Sequence, residues 1–238
     1  MGFGVLLLVI MALLAWGGRR HTNEIVLPEN TTDTSDAGDE NAEVRQNTIT
    51  INPETVGNAV SILARPSSYS RSQKVETYWS GGSGQTVSQV YVSGGYTRLD
   101  TTLPDGSIRH TLVASGEQTL TGVWYDDETH WTQLGADGLT ADAASRMLTY
   151  ETVRDLPPEA IASADYRQEY DANCIFVETE PDGSGYRDRY WVSVGSGLLI
   201  AAERLQDEDV VYRFSAGEPE ISPQDESLFQ LPDGGTLE

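Results

Sequence analysis

A chain of 238 residues with 38% hydrophobic content can bury one sizeable core, so it is not disordered as a whole. A formal net charge of −22 argues against a nucleic-acid partner, since binding phosphates needs a surplus of basic groups to displace counterions. The single cysteine, Cys174, excludes an internal disulfide framework and any multi-cysteine metal site.

The N-terminal run GFGVLLLVIMALLAWGG is uninterrupted and apolar, and Arg19-Arg20-His21 follow it. As a helix, residues 1–18 would span about 27 Å against a hydrocarbon core of roughly 30 Å, which predicts a membrane anchor or a signal sequence. A cleaved signal is disfavoured, because no basic residue precedes the run, no A-x-A site follows it, and no lipobox cysteine is present. Arg19 and Arg20 lie on the C-terminal flank, where the positive-inside rule would put the domain in the cytoplasm. The expected placement is nevertheless extracytoplasmic, in the cell envelope, with a basic start upstream of the run; a cytoplasm-facing anchored domain is the alternative. Residues 19–48 are rich in Asp, Glu, Asn and Thr, with almost nothing to bury, and read as a flexible acidic tether. Asn30 in NTT matches a glycosylation sequon, a weak signal at three residues.

A folded domain is expected over residues 49–238. In NPETVGNAVSILARP, Asn52 is a plausible helix cap, Pro53 suits the first helical position, and Val56, Ala59, Val60 and Leu63 fall at helical spacing before Pro66. From Thr86 the pattern switches to period two. Turns at Gly94-Gly95, Pro104-Asp105-Gly106, Ser115-Gly116-Glu117 and Asp126-Asp127-Glu128 predict a meander of hairpins, with Leu99, Thr101 and Leu103 on one strand face and Ile108, His110 and Leu112 on a face of the next. Helices are expected from Thr140, with Ala143, Ala144, Met147 and Leu148 on one side, and from Pro158, with Ile161 inward. Four more strands follow, broken at Pro181-Asp182-Gly183, Gly195-Ser196-Gly197 and Asp207-Glu208-Asp209. A capped turn over Ser222–Leu228 then leads into a short terminal strand. This order predicts an α+β domain with one large, strongly curved antiparallel sheet.

The C-terminal succession RYWV, VGSG, LLIAAERL, VVYRF and SLFQLPDG resembles the LolA/LolB-like superfamily of bacterial lipoprotein carriers. GVWYDDETHWTQL, with Trp124 and Trp131 flanking an acidic turn, occupies the place of an aromatic hairpin in that family. The match in order runs from Ile49 to Gly234. It implies an unclosed β-barrel whose concave apolar face is covered by helices and can hold acyl chains. At a looser level the chain is similar to a LolA-like sporulation lipoprotein of clostridia that partners a cell-wall amidase. The anchor and tether depart from a shuttling carrier, and the missing N-terminal cysteine departs from a lipoprotein receptor. A tethered domain that binds lipid or a protein partner fits better.

Signals for catalysis are weak. His130 with Asp126 and Asp127 could be drawn as a metal site, but no HExxH-type spacing accompanies them; no G-x-S-x-G elbow supports a hydrolytic triad. Cys174 at the start of a strand reads as a small packed hydrophobe. Gly195-Ser196-Gly197 has no following Lys and continues as a strand, so it turns a hairpin and does not cradle phosphate. No cofactor, metal or catalytic residue is expected.

The aromatic residues either form core or line a ligand cavity in a half-pipe too wide to be filled. On the second reading, Tyr91, Leu112, Trp124, Trp131, Tyr190 and Val192 are the candidate lining. Arg187 and Arg189 share a strand face with Trp191, opposite Tyr186, Tyr190 and Val192; periodicity does not say which face is concave. Two functions follow: binding of a lipid or lipoprotein acyl moiety without chemistry, or a scaffold or regulatory partner of a cell-envelope or spore-cortex enzyme with no lipid ligand.

Overall fold

The structure, a computed structural model, describes residues 49–115, 119–126, 128–134 and 148–237. The expected anchor, the tether and all of the helix expected from Thr140 up to residue 147 lie outside the described residues. From Ile51 onward the described residues belong to one compact unit.

Helix α1 spans Val56–Ile62, shorter than the periodicity alone predicts. Asn52 caps the turn before it: its Oδ1 accepts from the backbone N–H groups of Glu54 and Thr55, each at 3.0 Å, and Thr55 Oγ1 accepts from Asn52 N at 3.1 Å. This reciprocal bonding satisfies donors that the first helical turn leaves unpaired. Val56, Ala59 and Val60 are buried, and Leu63 turns extended at the end of the helix.

Among the described residues, eleven strands form one antiparallel sheet. The first meander comprises β1 (Ser68–Trp79), β2 (Gly82–Ser93), β3 (Tyr96–Thr102), β4 (Ile108–Ser115), β5 (Thr119–Tyr125) and β6 (Thr132–Leu134). After the one-turn helix α2 (Glu151–Arg154), a second meander comprises β7 (Ile161–Glu169), β8 (Ala172–Thr179), β9 (Tyr186–Ser193), β10 (Leu199–Gln206) and β11 (Asp209–Ala216). The spatial order β6-β5-β4-β3-β2-β1-β11-β10-β9-β8-β7 joins the meanders where β1 pairs with β11 through Gln73–Thr77 and Tyr212–Ala216. No described pairing joins β6 to β7, so the sheet is open.

Two expectations are corrected, and one element went unforeseen. The helix from Pro158 is a single 3-10 turn, Pro158–Ala160; Ile161 is inward, as expected, but opens the nine-residue strand β7, which pairs along β8. Edge pairing outweighs the weak helical preference of a segment with few apolar positions at helical spacing. The C-terminal segment forms a 3-10 turn, Glu226–Phe229, capped by the Asp225 side chain, and no strand follows it among the described residues. Strand β1, which no turn signal announced upstream, is the seam of the whole sheet.

Register assigns every strand residue to a face. One face carries Tyr69, Arg71, Gln73 and Val75 of β1, continuing through Val90, Leu99 and Val113 on one side and Phe214, Ala202 and Tyr190 on the other. Side chains from β4 and from β10, five strand steps apart, line one cavity on this face. A flat sheet would hold those strands roughly 24 Å apart, so the sheet bends around this face.

The opposite face is covered differently. Leu112 and Trp124 pack there against Phe229, Leu231 and Leu237 of the C-terminal segment, with Tyr91, Tyr96 and Trp131 beside them. Beneath them Arg98 donates to Asp100 at 2.7 Å and to the Leu228 carbonyl at 3.0 Å, tying the segment to β3.

Candidate ligand cavity

The concave-face cavity has a volume of about 330 Å³. Its floor is β1 to β4, through Val90, Val92, Leu99 and Val113; one wall is the β9–β10 turn, through Leu198 and Leu199; the other is Leu148–Glu151. A second cavity of about 310 Å³ lies over β9 to β11, lined by Tyr190, Ala202 and Tyr212, and shares Leu148 with the first.

Local sequence explains how these walls meet. A bulge between Leu199 and Ala201 shifts the register of β10 against β9, so Leu199 pairs with Val192 while Ala201 pairs with Trp191 on the outer face. That shift lets the apolar run LLIAA serve both faces of the sheet. In the preceding turn Gly197 has φ +66°, and a Cβ there would lie 2.6 Å from the Ala64 carbonyl oxygen. Only glycine permits both the left-handed backbone and this approach of the chain leaving α1. Arg65 locks the contact by donating from Nε to the Gly197 carbonyl at 3.0 Å, while its guanidinium lies 3.4 Å from the Tyr150 ring centroid.

Arg71 projects into the cavity at 7% exposure. Its Nη1 donates to the Leu199 carbonyl at 2.8 Å, and its Nε is buried without a partner. Burial lowers its pKa from the ordinary arginine value, because desolvation disfavours the charged form. On the same face the Ser88 and Thr101 hydroxyls hydrogen-bond at 2.8 Å.

The six residues expected to line a cavity fall on both faces. Tyr190 lines the second cavity, and Val192, on the same face, is fully buried against Leu199 and Ile175. Tyr91, Leu112, Trp124 and Trp131 belong to the cluster beneath the C-terminal segment, on the opposite face. Arg187 and Arg189 face outward and pair with Glu178. Sequence reasoning missed Arg71, although YSRSQKV alternates and places an arginine among Tyr69, Gln73 and Val75.

Two other groups are resolved. Asp126, once drawn toward His130, instead meets His110: the imidazole Nδ1 is 2.7 Å from Asp100 and Nε2 is 2.7 Å from Asp126, with the ring stacked on Trp124 at 5.2 Å. Cys174 is buried, and burial pushes its thiol up to about 11, so it is protonated and unreactive at neutral pH. Among the described residues, no three His, Cys, Asp or Glu side chains converge as a metal site, and no helix is long and apolar enough to cross a membrane.

No protein-family model matches the chain, and no curated protein matches it. Solved structures similar to it include a DUF1329 family protein from Desulfovibrio piger, at 12% identity and a TM-score of 0.41 over 74% of this chain and 95% of that one. A LolA superfamily protein from Nitrosomonas europaea aligns at 11% identity and a TM-score of 0.39, covering 77% and 98% of the two chains. A MucA/MucB complex from Pseudomonas aeruginosa aligns at 14% identity and a TM-score of 0.36, covering 77% of this chain and 61% of that one. These overlaps are partial, and no residue's role is carried over from them.

Proposed function

We propose that this is a membrane-tethered, extracytoplasmic LolA-like domain that holds a lipid or lipoprotein acyl chain on the concave face of its sheet and performs no chemistry. The observation that carries this reading is the cavity of about 330 Å³ whose floor is Val90, Val92, Leu99 and Val113 and whose walls are the β9–β10 turn and Leu148–Glu151. Its size falls within the range of roughly 300–1,000 Å³ typical of small-molecule sites, and its apolar floor suits an aliphatic chain. The sequence resemblance to lipoprotein carriers points the same way, and the tether would keep the site within reach of one membrane.

Native mass spectrometry of the full chain after gentle extraction tests this directly. The expected spectrum contains the protein with a co-purifying lipid; only the apo mass would sink the reading. A companion variant, Val92→Trp, fills the cavity from a half-buried position and is expected to lose the lipid while keeping the wild-type circular dichroism spectrum.

One observation favours the partner-binding alternative. The β1–β2 hairpin runs past its neighbours, since β11 pairs only to Thr77 and β3 pairs only from Val87, and its tip carries Trp79 at 59% exposure. Crosslinking pull-down with the full chain as bait should recover one dominant envelope protein, with Trp79→Ala releasing it. Recovery of the same protein by both forms would remove the hairpin from that role.

A further inference from the structure

We infer that Arg71 recognises an anion: the concave-face cavity takes an aliphatic chain ending in a carboxylate or a phosphate monoester, with that head group seated on the guanidinium. This rests on the reading of the cavity as an acyl site and names the chemistry of its head group.

Arg71 is a buried cation with few partners. Its one hydrogen bond is to the Leu199 carbonyl, its Nε is buried and unpartnered, and no ion pair reaches it among the described residues. Shortage of carboxylates is not the reason, since the chain has 37 Asp and Glu against 15 Lys and Arg. Arg98, Arg189, Arg204 and Arg213 each hold one, on Asp100, Glu178, Asp188 and Glu203 respectively. Glu151, the acid in the cavity wall, is engaged by Tyr150 and by the charges of Arg65 and Arg154. Glu218 acts on Arg71 only through space.

A buried cation without a counter-ion carries a large desolvation penalty, and folded proteins keep one where a ligand supplies the missing charge. The guanidinium is suited to the task, because an arginine fork can meet a carboxylate or phosphate with two parallel hydrogen bonds. Around it the cavity offers Tyr69, Val90, Leu99 and Leu198, against which methylene groups can pack. A neutral lipid would leave Arg71 as unsatisfied as it is in the free protein.

The test uses the full chain in nanodiscs, titrated with dodecanoate, monododecyl phosphate and dodecanol and followed by intrinsic tryptophan fluorescence. Wild type is expected to bind at least one of the two anions tenfold or more tighter than the alcohol, and which anion wins identifies the head group. Arg71→Met should lose at least tenfold for that anion and leave dodecanol unchanged, with Arg71→Lys intermediate. The unliganded melting temperature of Arg71→Met should equal or exceed that of wild type, since the variant removes an unpaired buried charge. Equal binding of acid, phosphate and alcohol by wild type would overturn the anion assignment and leave the acyl cavity standing. Equal weakening of anion and alcohol by Arg71→Met would also overturn it, as a shape effect. No binding of any probe would remove both readings. If Arg71→Met does not fold, the wild-type ratio and Arg71→Lys decide.

Discussion

His110 lies between two carboxylates on the face away from the cavity, with Asp100 and Asp126 each 2.7 Å from one of its ring nitrogens. Burial works against the charged imidazole, but the hydrogen bonds to Asp100 and Asp126 outweigh it and raise the pKa above the usual 6.5. With both ring nitrogens donating, the 2.9 Å approach of Arg98 to Nδ1 sets two donors side by side, and Asp100 compensates both. Burial likewise opposes the Asp100 carboxylate, but its bonds from His110 and Arg98 prevail and hold its pKa below the ordinary value. The signs differ. The histidine's contribution to stability is complete below about pH 6.5 and is lost as pH rises through its folded pKa. The Asp100 contribution is complete above about pH 4 and is lost as pH falls through its folded pKa. The expected outcome is that the wild-type melting temperature declines between pH 6 and 9 while that of His110→Gln is flatter. Identical slopes would show that the imidazole stays neutral.

At the scale of elements, the turn Gly195-Ser196-Gly197 is both a hairpin and the contact point for the chain leaving α1. Gly197→Ala should therefore destabilise the domain by about 1–3 kcal/mol from the left-handed backbone alone, with the clash against Ala64 adding to it. Gly195→Ala is the control: its Cβ would meet nothing closer than Ser193 Oγ at 3.8 Å, so its urea midpoint should stay near wild type. Matching midpoints for the two variants would mean that α1 does not dock on the turn. Such punctuation is legible in sequence, because glycine, proline and aspartate act locally. The three breaks named for the second meander fall at the β8–β9, β9–β10 and β10–β11 turns, whereas β7 was misread as a helix because a short segment with few apolar residues carries little periodic signal.

For the whole molecule, one sheet supports two separate apolar layers. Leu148–Glu151 and the β9–β10 turn lie over the concave face, and the C-terminal segment covers β3 to β5 on the other. Leu112 is fully buried in the second layer, so Leu112→Ala should cost about 2–5 kcal/mol in urea unfolding. Because Leu112 faces away from the cavity, ligand retention in the folded fraction should be unchanged. Loss of ligand from folded Leu112→Ala would mean that the two layers are coupled through the sheet.

The sequence by itself determined a large antiparallel sheet built of hairpins, the three breaks of the second meander, the buried state of Cys174 and the turn at Gly195-Ser196-Gly197, because each depends on residues close together in the chain. Tertiary structure alone decided which face is concave, since alternation says only that two faces exist and says nothing of how β1 pairs with β11, some 140 residues away. That pairing put Tyr190 and Val192 on the cavity side and Tyr91, Leu112, Trp124 and Trp131 on the other, where the C-terminal segment covers them. It also carried Arg71 beneath Leu199, 128 residues distant, into the cavity without an ion-pair partner among the described residues. Long-range register is a property of the assembled sheet, and no local pattern encodes it.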